Sequence, residues 1–130
     1  MHLQRAIIFV KDIERMASFY GETLGLRAVK ETRTSSWVEF PEGVALHAIP
    51  SEIAQSIEIA SPPRVRETNP IKLVFGVADV DKERSRLEAL GVRMIVRPWG
   101  TCDGIDPEGN VFQIFQLLKP GAAANSNTGQ

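Results

Sequence analysis

The chain has 130 residues, about the size of one ordinary domain, so two large domains are excluded. Hydrophobic residues make up 43% and charged residues 24%, with eight prolines; that composition builds a core and is neither collagenous nor disordered. Fifteen basic against sixteen acidic residues leave a net charge of −1 without a one-sign block, which argues against nucleic acid or an anionic membrane surface as partner. Cys102 is the single cysteine, so no internal disulfide forms. The start, Met-His-Leu-Gln-Arg, has no long apolar run behind it, and no stretch approaches the roughly 18 apolar residues that span a bilayer. A cytoplasmic location is the expectation.

Residues 6–10 form a short apolar run that predicts a strand, and Asp12 is placed to cap a helix. Ile13, Met16, Tyr20 and Leu24 recur at helical spacing beside Ala17, so 13–24 is expected to turn one apolar stripe to a core until Gly25 stops it. Phe19 and Tyr20 belong to that core stripe. Three extended runs follow, at 27–33, 35–40 and 43–49, the last two joined by Pro41-Glu42-Gly43. The order is strand, helix, three strands.

Residues 51–70, with Ser61-Pro62-Pro63 and Asn69-Pro70, read as a linker holding at most a helical turn near 53–57. The first order of elements then recurs. Ile71–Val77 predicts a strand, Asp79 a cap, Val80, Leu87 and Leu90 a helix, and Gly91 its stop. The caps Asp12 and Asp79 lie 67 residues apart, while Pro41-Glu42-Gly43 and Pro107-Glu108-Gly109 lie 66 apart. Such self-similarity indicates duplication. The organisation is therefore a first βαβββ module at 1–50, a linker at 51–70, a second module at 71–118 and a disordered tail at 119–130.

Two βαβββ modules, an Asp-capped helix with Phe19-Tyr20 and Leu24-Gly25, and Asp106-Pro107-Glu108-Gly109-Asn110 before a final apolar strand resemble the vicinal oxygen chelate superfamily. This is the glyoxalase, bleomycin-resistance and extradiol-dioxygenase group. The resemblance spans residues 3 to about 118 and implies an α+β fold whose sheets curl into an incomplete barrel around a cavity. It also implies pairing of modules within one chain or exchange across a homodimer. The resemblance implies a full strand between the Trp-Gly turn and Asp-Pro, but Gly100 to Asp106 spans only six steps, about two fewer than the family pattern, which suggests a short wall and a wider mouth.

The resemblance further implies a divalent metal held by His or Glu from the first and fourth strands of each module. The matching positions here are Arg5, His47, Lys72 and Gln113, with His47 taken as the repeat mate of Gln113 from the turn offset of 66. Arg5 and Lys72 are cations and Gln113 is a weak neutral donor, so only His47 suits a metal. Two positive charges close to a dication repel it. No cofactor is expected. His2 lies on the opposite face of the strand from Arg5 by alternation.

The same residues suit an anion: Arg5 can fork onto a carboxylate, Lys72 can add a point charge, and His47 can orient the ligand or move a proton. Ile7, Phe9, Val74 and Gly76 share the inward face by alternation, and Trp37 and Trp99 are candidate walls. The leading reading is a metal-independent binder of a small anionic organic molecule, like the bleomycin-resistance type. Its competitor is a glyoxalase-like lyase or isomerase, or a dioxygenase relative, using a metal or His47. A third reading, a purely structural or partner-binding protein with a filled cavity, is favoured if Arg5 and Lys72 are both salt-bridged internally. Cys102 has no role in any of them.

Overall fold

A computed structural model describes residues 1–98 and 100–118; the expected tail at 119–130 and the wall residue Trp99 lie outside the described residues. The contacts divide the chain between Arg64 and Val65 into two compact units. In the first, β1 (Ala6–Val10) runs parallel to β3 (Val44–Ala48), which pairs antiparallel with β2 (Trp37–Phe40), giving the order β1-β3-β2. Helix α1 (Ile13–Ser18) packs on β2 and β3, and α2 (Ser51–Ala54) follows the sheet. In the second, β4 (Leu73–Val77), α3 (Val80–Ala89), β5 (Met94–Arg97), β6 (Thr101–Ile105) and β7 (Val111–Gln116) form a sheet ordered β4-β7-β6-β5, again with a parallel pair at one edge. Both sheets are open, as expected of an α+β fold. Among the described residues, no helix is long and apolar enough to cross a membrane.

The local signals act as the chemistry requires. The Asp12 carboxylate accepts from the Arg15 N–H at 3.1 Å and Asp79 from the Lys82 N–H at 3.0 Å, satisfying donors that a helix start leaves open. Gly25 and Gly91 take left-handed φ values of +84° and +87° at the helix ends, where a side chain would be strained. The first core is Val10, Val38, Phe40, Val44 and Leu46 under Ile13 and Met16, and the second includes Phe112, Ile114 and Cys102 with Val80 and Leu87 of α3.

Four expectations need correction. The helix does not run evenly to Leu24: after Ser18 the backbone widens to a π turn over Phe19–Thr23, with Leu24 N–H donating to Phe19 O. The wider turn rotates less per residue and so keeps Phe19 and Tyr20 on one side, both buried with rings edge to face at 5.3 Å. The strand expected at 27–33 does not form. Four of its seven residues are charged and none is buried, so little apolar surface anchors it, and only Val29 N–H reaches Glu39 O. The curtailed wall is also wrong, because Thr101–Ile105 is a full strand paired on both sides and buried throughout. Leu90, finally, lies past the last turn of α3 and is exposed.

Candidate functional site

Alternation along β1, β3 and β2 puts Arg5, Ile7, Phe9, Ala45, His47, Trp37 and Glu39 on the sheet face opposite α1. Ile7 and Phe9 are exposed, which agrees with a face that is not part of the helix-covered core. His47 pairs with Phe9 on one side and Trp37 on the other, its ring 5.6 Å and 6.0 Å from theirs. Its Nδ1 is enclosed and has no hydrogen-bond partner among the described residues. Arg5 stands over the Trp37 ring at 5.6 Å, a cation–π distance, and its guanidinium lies 3.5 Å from the Glu39 carboxylate. Arg5 is thus held by its own sheet.

The equivalent face of the second sheet carries Lys72, Val74 and Gly76 from the β4 side, Gln113 and Phe115 from β7, Thr101 and Asp103 from β6, and Ile95 and Arg97 from β5. Asp103 is its centre and is 0% exposed. Lys72 Nζ donates to both of its oxygens at 3.2 and 3.1 Å, and Arg97 Nε donates to Oδ2 at 2.8 Å. Gln113 Nε2 donates to Thr101 Oγ1 at 3.3 Å and, more weakly, to Asp103 Oδ1 at 3.4 Å. A carboxylate removed from water requires such donors. Lys72 and Arg97 remain 42% and 46% exposed, so each keeps part of its hydration and can meet a further anion.

Strand pairing revises the repeat register. Ile7 and Val74 are repeat mates by the cap offset; Ile7 pairs with Ala45 and Val74 with Gln113. Ala45 is therefore the mate of Gln113, and His47 is the mate of Phe115. The turn offset misleads because the second hairpin is longer by Ile105 and Asp106 before, and by Asn110 and Val111 after, the shared Pro-Glu-Gly. By the same pairing Glu39 corresponds to Asp103, so the Arg5–Glu39 and Lys72–Asp103 pairs are one interaction repeated.

The two acids were not singled out from the sequence. Applying alternation to the middle strands as well as the edge ones identifies them, since Glu39 and Asp103 are the acidic side chains directly opposite Ala45 and Gln113. Arg97 was missed for the same reason.

The donors do not fit the family's divalent metal. At the four matched positions stand two cations already bound to carboxylates, an alanine, and a neutral amide whose oxygen is a weak ligand. Among the described residues, no three His, Cys, Asp or Glu side chains are grouped to hold an ion.

A cavity of about 290 Å³ opens on this second face, lined by Lys72, Arg93, Arg97 and Asp103 together with Arg66 and Glu67 of the segment before β4. Arg66 is steadied by its Nε–H donating to Glu108 O at 3.1 Å. Four basic groups face two acidic ones.

Cys102 points away from this face, is 1% exposed, and donates weakly to Asp103 O at 3.7 Å. Burial pushes its thiol up from the ordinary range. Below that range both states keep the proton; as pH rises through it the unfolded chain releases the proton first, so stability falls. At pH 8, iodoacetamide is expected to leave the folded protein unmodified for hours yet alkylate it within minutes in urea, as mass spectrometry reads. Fast native labelling contradicts the enclosure.

The family model of the Glyoxalase/Bleomycin resistance protein/Dioxygenase superfamily matches residues 2–114. Similar solved structures include a protein of unknown function from Agrobacterium tumefaciens, 29% identical, covering 91% of this chain and 95% of that one at a TM-score of 0.68. A glyoxalase/bleomycin resistance protein/dioxygenase family enzyme from Burkholderia phytofirmans is 25% identical, covering 91% and 100% at 0.68. TnmS3, an antibiotic binding protein from Streptomyces, is 23% identical, covering 91% and 97% at 0.62, a likeness of fold alone. No curated protein matches the chain. With two repeated units, each closed by a parallel edge pair, and a family match over most of its length, the chain belongs to the glyoxalase, bleomycin-resistance and dioxygenase superfamily.

Proposed function

We propose that this protein is a metal-independent small-molecule binder whose ligand is an organic anion held on the face of the second sheet. The observation that carries the reading is the cavity beside Asp103, where Arg66, Lys72, Arg93 and Arg97 outnumber Glu67 and Asp103. Asp103 neutralises one of the two cations it holds and fixes both in place, so the pair keeps a net positive charge at a defined point. Arg5 does not line this cavity and is not among the binding groups of this reading. His47 stands on the first sheet, does not line this cavity and has no role in this reading.

A second reading is favoured by one observation: Arg5 and Lys72 both bind internal carboxylates, as in a face that satisfies itself and takes no ligand. A thermal-shift comparison of benzoate with benzamide separates the two. The expected result is a rise in Tm with benzoate alone, lost in Arg97→Gln and kept in Arg5→Ala. Equal response to both compounds, or to neither, removes the anion site and leaves the self-satisfied face.

Calorimetric titration with nickel, zinc and manganese is expected to show no stoichiometric uptake; tight uptake of one ion per chain overturns metal independence. Light scattering tests the homodimer that the family likeness implies.

A further inference from the structure

We infer that the anion is a short-chain dicarboxylate, with its second carboxylate bound by Arg93. This rests on the anion-binding reading and deepens it. Along the cavity side of the β5 region the residues alternate Arg93, Ile95, Arg97, so that one apolar side chain separates two cations. That sequence of chemistry mirrors a carboxylate, a methylene stem and a second carboxylate.

Both ends of the row are equipped. Arg97 binds Asp103 through Nε, and its two Nη groups, a planar pair of donors, have no hydrogen-bond partner among the described residues. Lys72 stands on the same carboxylate and adds charge at that end. Arg93 is exposed and, among the described residues, its side chain forms no ion pair. Between the ends, Ile95 has Ile71 and Val111 as further apolar lining of the cavity.

Charge and size agree. Four basic groups against two acidic ones leave a surplus of two, which a dianion neutralises and a monoanion does not. A volume of about 290 Å³ is at the small end of ligand cavities and suits a few carbon atoms between two acid groups.

The test is calorimetric titration of the full chain with glutarate and with butyrate, which share a short apolar stem and differ in the second carboxylate. Glutarate is expected to bind about tenfold more tightly, the factor one charge-assisted hydrogen bond supplies. Arg93→Gln, a change at an exposed side chain, is expected to bring glutarate down about tenfold and to lower butyrate's affinity by clearly less, while Arg93→Lys restores part of the glutarate loss. Equal binding of the two acids, or an equal loss of both in Arg93→Gln, overturns the dicarboxylate and leaves the anion site standing. Binding of neither overturns both.

Discussion

Asp106→Ala is expected to lower stability by about 3–5 kcal/mol. Asp106 is fully buried, and its Oδ1 accepts from the Glu108 and Asn110 N–H groups while Oδ2 accepts from Asn110 Nδ2, all at 2.9 Å. Alanine leaves three donors without that acceptor. Each orphaned donor costs about 1–3 kcal/mol, and water reaching the half-buried Asn110 recovers part of the sum. The turn they hold also sets the register of β6 against β7, so the loss extends to the sheet that carries Asp103. In a chain this size the change corresponds to a fall in Tm of roughly 10–20 °C, readable by circular dichroism. Asp106→Asn, which keeps an accepting oxygen, is expected to lose only about a third as much. A loss below about 1 kcal/mol for the alanine variant shows that the turn does not organise the strands.

Gly104→Ala comes next, at about 2–3 kcal/mol. Gly104 pairs directly with Phe112, and a Cβ there stands 2.2 Å from Phe112 Cζ and 2.7 and 2.8 Å from its Cε atoms. The ring cannot retreat, being 1% exposed and packed edge to face with Phe75 at 6.2 Å. Gly76→Ala supplies the contrast. Its new Cβ meets the Leu117 side chain at 2.6 Å, but Leu117 is half exposed and can turn away, so the cost stays below about 0.5 kcal/mol. Urea denaturation of both variants reads the difference. Adding Phe112→Leu to Gly104→Ala is expected to recover part of the loss, because the two sites share one contact. Equal effects of the two glycine changes show that ring packing does not decide the cost.

The caps, the stops at Gly25 and Gly91, and the recurrence of one unit were legible because they are local: an aspartate that accepts from the third residue on, a glycine whose φ is positive, an apolar run of five. The failures came from interactions that sequence spacing does not carry. At 27–33 only Val29 offers an apolar anchor beside Arg27, Lys30, Glu31 and Arg33, and the backbone turns at Arg33 N–H to Lys30 O instead of continuing. The cations Arg5 and Lys72 were found, but not the acids that hold them, because Glu39 and Asp103 are cross-strand neighbours set by register. Equating His47 with Gln113 failed for a related reason: a shared Pro-Glu-Gly marks where two turns align but not how long their arms are.

The unequal hairpins limit how such duplicated halves can diverge. The longer arms of the second hairpin differ from the first by two residues each, one full pleat, so every side chain keeps its side of the sheet. A change of one residue in either arm, without a bulge to absorb it, turns the strand over and exchanges Asp103 or Gln113 with the greasy residues behind them. Drift in loop length at this corner is thereby confined to even steps, and a difference of that kind leaves a histidine and the glutamine out of correspondence yet on the same side.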